Sequence, residues 1–157
     1  MEVALENLVK DLYQAKIGHH NDLHAFKNRF AVKHLTSFPS NAEIIKAYRD
    51  LIEKGDLPDD RDFMKVLRKR SIRSLSGIAS ITVIMKAFPC PGKCIFCPTE
   101  PEMPKSYLSN EPAIMRAILN NFDAYKQTEN RLVSLKKTGH VTNKIDVIVS
   151  GGTFSFY

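Results

Sequence analysis

The residues best suited to chemistry are three cysteines, the only ones in the chain, at Cys90, Cys94 and Cys97. Their spacing, Cys-x3-Cys-x2-Cys, places three thiolates on one short loop. There they can hold three corners of a four-iron cluster. The fourth iron then lacks a protein ligand and can bind a small molecule, as an open coordination position does at a catalytic metal.

Other uses of the cysteines stay open at this point. A disulfide fits poorly, because three is an odd number and nothing in the sequence suggests secretion. A structural zinc site needs four ligands, and the nearest histidines, His34 and His140, lie over forty residues away. We favour a cluster of the kind that radical S-adenosylmethionine (SAM) enzymes need. A zinc site completed by a distant histidine and a set of inert cysteines are the alternatives.

The length and composition limit the classes of protein to which this chain can belong. A chain of 157 residues fits one domain, or a small domain and part of another, and its hydrophobic content of 43% is enough for a core. No apolar run approaches the roughly 20 residues of a membrane span. The acidic, amphipathic N-terminus is not a signal peptide, so we expect a cytoplasmic protein. The net charge of +6 favours an anionic partner.

The N-terminal region is predicted to be helical. Apolar residues recur at helical spacing in four short stretches before residue 75. Asn21 is predicted to cap the second helix, and Ser40 with Glu43 forms a capping-box signature that opens the third. Gly55 is predicted to end that third helix.

A basic run closes this helical region. Six cations crowd residues 61–73 against a single acid, Asp62. One interpretation is a solvated helix face; the other is a patch that contacts nucleic-acid phosphates. The residues predicted to bind are Arg68, Lys69, Arg70 and Arg73.

The remainder of the chain reads as α/β. A run rich in β-branched residues, 78–85, predicts a buried strand that leads directly into the cysteine loop. Helices are predicted to start after Glu111 and Asp123, and a second strand over 144–149 runs into Gly151 and Gly152. This order predicts a βαβ unit with ligand-binding loops at the carboxyl ends of its strands.

Several ordered segments resemble one known family. They are Arg73-Ser74-Leu75-Ser76-Gly77-Ile78-Ala79, Cys90 to Pro98, Pro104-Lys105-Ser106-Tyr107-Leu108, Glu111-Pro112-Ala113, Gly139-His140 and Gly151-Gly152-Thr153. Over about eighty residues the chain is similar to the radical SAM domain of the catalytic subunit of Elongator, whose archaeal and bacterial members act alone on tRNA wobble uridines. The first seventy residues match more loosely the helical tRNA-binding region of that family.

The resemblance implies a specific chemistry. A radical generated from cluster-bound SAM would abstract hydrogen from the methyl group of acetyl-CoA, and the carbon radical would add to C5 of uridine. The matching residues are Cys90, Cys94 and Cys97 for the 4Fe–4S cluster, Phe96, Gly151, Gly152 and Thr153 for SAM, and Lys144 for acetyl-CoA.

The resemblance also sets the expected organisation. Residues 1–75 would form a helical, basic tRNA-binding region, and residues 76–157 the first βαβ portion of a truncated radical SAM, TIM-like barrel. Family members continue through the barrel into an acetyltransferase domain. We therefore expect a fragment, a truncated reading frame or one part of a split protein, whose partner chain would carry the missing parts. A zinc-stabilised nucleic-acid-binding module and a non-catalytic tRNA-binding piece are the competing hypotheses.

Overall fold

The computed structural model describes residues 2–35, 37–152 and 154–156. It is a mixed α and α/β structure, which confirms the coarse fold prediction. Within the described residues there are six α-helices and a sheet of two parallel strands. Their order is α1 (Glu2–Gln14), α2 (His20–His34), α3 (Asn41–Glu53), α4 (Arg61–Leu67), β1 (Ala79–Ile84), α5 (Pro112–Leu119), α6 (Ala124–Lys137) and β2 (Ile145–Ser150). Short 3-10 helices occupy Ser71–Ser74 and Phe154–Phe156.

The chain divides into two compact units. The first comprises Met1–Gly77 and Leu135–Val141, and the second Ile78–Ser134 and Thr142–Tyr157. In the described part of the chain, no helix is long and apolar enough to cross a membrane.

The first unit is held together by the apolar faces of its helices. Tyr48 on α3 is fully buried and packs edge-on against Phe63 of α4, with ring centroids 5.0 Å apart. Its hydroxyl donates to the carbonyl oxygen of Pro58 and accepts from the amide of Asp60. The Tyr48 side chain therefore packs in the core and also stabilises the turn between the two helices. The remaining core comes mainly from Leu8, Val9, Leu12, Ile44, Ile45, Leu51 and Leu67.

Most of the observed helix ends agree with those predicted from the sequence. Ser40 Oγ accepts from the Glu43 amide, and Glu43 Oε2 accepts from the Ser40 amide, so the predicted capping box is confirmed. Gly55 follows the end of α3 with φ of 79°, as predicted. The Asn21 prediction was wrong. The cap of α2 is His19, whose backbone is extended, so the helix has already begun before Asn21.

The second unit is built on the parallel pair of strands. β1 and β2 pair in register from Ala79 with Ile145 to Ile84 with Ser150. β1 is largely buried, as predicted, whereas the β2 side chains are exposed or half-buried. Ile84 packs with Ile114 and Ala117 of α5, which forms the small core beneath the loops at the end of the sheet.

Candidate functional site

The carboxyl ends of the two strands bring the candidate site residues to one edge of the sheet. Ile84 lies opposite Ser150, and the next amide, of Met85, donates to the Ser150 carbonyl oxygen over 2.8 Å. The segment that leads to the cysteines and the pair Gly151-Gly152 therefore leave the sheet side by side. Ligands of open parallel sheets bind at this kind of edge.

The glycine pair has backbone geometry that other residues avoid. Gly151 is buried with φ of 142°, and Gly152 is exposed with φ of 50°. Both angles lie in the region that favours glycine, so a side chain at either position would be strained. Thr153, the third predicted SAM residue in this segment, lies outside the described residues. Just beyond it, the Phe156 ring approaches Phe88 on the cysteine side, with centroids 6.3 Å apart.

Two of the cysteine sulfurs lie over the same glycine. A Cβ atom built on Gly92 would meet Cys94 Sγ at 3.5 Å and Cys90 Sγ at 3.6 Å. A side chain at this position would be in van der Waals contact with both sulfurs, and glycine leaves that space open. No disulfide joins any of the three cysteines. Soft thiolate donors are the ligands that iron–sulfur clusters use.

The third cysteine is held by a different contact. Ser106 Oγ donates to Cys97 Sγ over 2.9 Å, and the Cys97 amide donates to the Cys94 carbonyl oxygen over 3.3 Å. Among the residues that the structure describes, no three Cys, His, Asp or Glu side chains converge closely enough to hold a metal ion. Cys90 and Cys94 thus lie beside one glycine, and Cys97 lies further along the same loop. The thiolates that hold a four-iron cluster bind separate irons, so they need not meet at one point.

Phe96 and Lys144 are placed differently from each other. Phe96 is 90% exposed on the cysteine loop. Lys144 precedes β2 and is exposed, and its carbonyl oxygen accepts from the Ala79 amide at the start of β1. Because a strand rises about 3.3 Å per residue, the length of β2 separates Lys144 from the glycine pair by roughly 20 Å. The structure therefore brings Phe96, but not Lys144, to the cysteine end of the sheet.

The basic run contains two kinds of residue. Lys69, Arg70 and Arg73 are exposed, as a phosphate-contacting patch requires. Arg68 is half-buried, its Nε is buried without a hydrogen-bond partner, and burial lowers the pKa of its guanidinium. Arg68 therefore combines packing with charge, whereas the other three present their charges to solvent.

The histidine that a zinc site would recruit is engaged elsewhere. His140 is 4% exposed, and its Nδ1 lies 2.8 Å from Ser74 Oγ within the first unit. His34 stacks at a tilt on Phe30, with centroids 4.6 Å apart. Neither contact favours the zinc hypothesis.

Sequence reasoning missed two residues that shape this region. Gln127 on α6 is buried; its Nε2 donates to the Ile84 carbonyl oxygen, and its Oε1 accepts from the Ile84 amide, each over 2.9 Å. Ser106 was noted only within a matching segment. A glutamine on a polar helix and a serine in a loop give no signal that separates them from surface residues.

Several known proteins are similar in sequence to most of this chain. No protein-family model matches the chain. The chain is 36% identical over 166 aligned positions to the tRNA uridine(34) acetyltransferase of Methanocaldococcus infernus, covering 98% of this chain and 29% of that protein. It is 43% identical over 122 positions to the protein of that name from Methanocaldococcus jannaschii, covering 74% and 21%. It is 33% identical over 167 positions to human Elongator complex protein 3, covering 98% and 29%. The chain thus spans less than a third of the length of these relatives.

Proposed function

Because this chain belongs to the family of tRNA uridine(34) acetyltransferases and Elongator complex protein 3, and matches an N-terminal part of it, we propose that it contributes to the modification of wobble uridine in tRNA. The relatives' names supply the substrate and the transferred group. Since the chain spans 29% of two of these relatives, the complete reaction is proposed for the family's catalytic unit rather than for these residues by themselves.

The proposed chemistry is that of a radical SAM enzyme. The observation that carries it is the position of the cysteine loop, which leaves the sheet beside Gly151-Gly152 at the carboxyl edge of two parallel strands. Cys90, Cys94 and Cys97 would hold a 4Fe–4S cluster, and Gly92 leaves room beside two of the sulfurs. When bound, such a cluster supplies the electron that cleaves SAM and starts radical chemistry.

The chain's own residues would prepare the site for that ligand. Gly151 and Gly152 have no side chains, so a ligand can approach the backbone at the end of β2. Gln127 fixes the last residue of β1, and hence the point where the cysteine loop begins. Phe96 is exposed on the loop and offers an apolar surface for SAM.

The proposed product is a carboxymethyl-type group at C5 of uridine, with acetyl-CoA as co-substrate. Lys144 is proposed to bind acetyl-CoA. Its position at the opposite end of β2 from the glycine pair means that it would contact a part of this long molecule distant from the acetyl group. The thioester end would then be the part that reaches toward the cysteine edge.

The first unit is proposed to bind tRNA. Lys69, Arg70 and Arg73 are exposed cations on one short segment, and Arg70 has a left-handed backbone with φ of 57° that turns the chain between α4 and the following 3-10 helix. Such cations attract phosphates without reading sequence. Arg68 would support the patch from its half-buried position.

Anaerobic reconstitution of the full 157-residue chain with iron and sulfide tests the cluster assignment. We expect a brown iron–sulfur chromophore in the wild type and its loss in Cys94→Ala, because the chain has no fourth cysteine to replace the lost ligand. Ile95→Ala changes an exposed neighbour and serves as the matched control. Full iron content in Cys94→Ala would contradict the assignment, and a colourless zinc complex in the wild type would favour the zinc-stabilised module instead.

A further inference from the structure

Ser106 makes two contacts with consecutive residues of the cysteine loop. Its hydroxyl donates to Cys97 Sγ over 2.9 Å, and its backbone amide donates to the Pro98 carbonyl oxygen over 3.2 Å. A hydroxyl that merely faced water would leave the position of the sulfur unaffected. The second contact fixes the backbone of Ser106 relative to the cysteine, so the direction of the hydroxyl is constrained.

The backbone of Ser106 supports a specific role. Its φ is 78°, in a region that L-residues with a side chain adopt only at an energetic cost. Serine is not the residue that this conformation favours, since glycine would adopt it without strain. The conformation is the one in which the amide and the hydroxyl both reach the cysteine loop.

The segment that carries Ser106 is anchored to the core of the second unit. Pro104 is fully buried, and its carbonyl oxygen accepts from the Tyr107 amide over 3.1 Å. Met103 and Tyr107 pack against the small apolar core formed by Ile84, Ile114 and Ala117. Lys105 Nζ also donates to Thr99 Oγ1, a second link between this segment and the cysteine loop. Ser106 therefore lies on a segment that is packed against the core of the second unit.

A hydrogen bond to a cysteine sulfur has a known consequence at an iron–sulfur cluster. Donors to the sulfurs stabilise the more negative, reduced state and raise the reduction potential. We propose that Ser106 is a positioning residue that orients the Cys97 sulfur and raises the reduction potential of the cluster bound there. This inference rests on the proposed function. The couple transfers one electron from a low-potential reductant to the cluster, and no covalent bond forms or breaks.

The test is a potentiometric titration of the anaerobically reconstituted full chain, followed by electron paramagnetic resonance of the reduced cluster, with dithionite as reductant. Ser106→Ala and Ser106→Gly both remove the hydroxyl, but glycine also relieves the strained backbone. Ser80→Ala removes an exposed hydroxyl from the same unit and is the control. We expect both Ser106 variants to disfavour reduction by about tenfold, or about 59 mV for a one-electron couple. The control should keep the wild-type potential.

The outcomes separate this inference from the proposed function. A wild-type cluster whose potential is unchanged in both Ser106 variants would overturn the inference and leave the proposed function intact. So would a shift confined to one of the two variants, because it would follow the backbone rather than the hydroxyl. Loss of iron uptake in both variants, with Ser80→Ala fully loaded and circular dichroism unchanged, would support the positioning role. A wild-type chain that takes up no iron would overturn the proposed function and the inference together.

Discussion

Replacing Gln127 with methionine should reveal how strongly α6 holds the end of β1. Methionine is close to glutamine in size but has no amide. It would leave both the amide and the carbonyl oxygen of Ile84 without the partners they have now, each at 2.9 Å. Ile84 is 1% exposed and Gln127 is 6% exposed, so water cannot readily replace the lost contacts.

The magnitude follows from the cost of unsatisfied buried polar groups. Each such group costs about 1–3 kcal/mol, so the pair amounts to about 2–6 kcal/mol in the stability of this part of the second unit. At 1.4 kcal/mol per factor of ten, the lower bound corresponds to about a 30-fold increase in local opening. Gln127→Glu keeps an acceptor for the Ile84 amide, and its protonated carboxyl can donate its O–H to the Ile84 carbonyl oxygen. We therefore expect a smaller effect than in Gln127→Met when that carboxyl is protonated.

Native-state hydrogen exchange is the direct assay, because it reports the opening of individual amides. The Ile84 amide should exchange at least about 30-fold faster in Gln127→Met. Gln14→Met makes the same chemical change at an exposed helical position in the first unit and should leave Ile84 unaffected. An unchanged exchange rate for Ile84 in Gln127→Met would refute the argument that this side chain fixes the strand end.

Three further predictions concern the first unit. Replacing Arg70 and Arg73 with glutamate should weaken binding to all tRNAs alike. In filter-binding assays from low to high salt, the slope of log binding constant against log salt concentration should fall by about one unit per lost phosphate contact. An unchanged slope would identify the run as solvated surface. Ser40→Ala should cost about 0.5–2 kcal/mol in denaturant unfolding, because the capping box loses its acceptor for the Glu43 amide. The hydrogen bonds with Ser40 lower the pKa of Glu43, so its contribution to stability is present above the unfolded pKa near 4.5 and is lost as the pH falls through the folded value. Glu43→Gln should remove that acid-side loss, and an unaltered acid limb in this variant would contradict the assignment.

Local chemistry let the sequence predict much of the secondary structure. The capping box at Ser40, the glycine after α3, and the proline that opens α5 act within a few residues, so the pattern alone locates them. The prediction that Asn21 caps α2 was wrong because helix capping is also decided among neighbouring residues. A residue of suitable type competes with its neighbours for the cap, and the backbone turned at His19 instead.

The difference in burial between the two strands could not be predicted from their composition. Both contain β-branched runs of similar character, yet β1 is largely buried and the β2 side chains are not. Which strand is covered depends on which one α5 packs against, and that is a matter of tertiary contact. A pattern of apolar residues shows that a strand can be buried, not that something buries it.

By itself the sequence determined the reactive groups: three cysteines at fixed spacing, a glycine pair after a strand, and a run of cations. The tertiary structure alone decided which of them meet. The parallel register brings the cysteine loop and Gly151 to one edge and leaves Lys144 at the other, because strands that run the same way share their carboxyl ends. A Cβ at Gly139 would come within 3.1 Å of Ile45 Cδ1, which is a contact between residues far apart in the chain. Hydrogen bonds such as those of Gln127 and Ser106 arise in the same way, since their partners are fixed by packing and not by sequence distance.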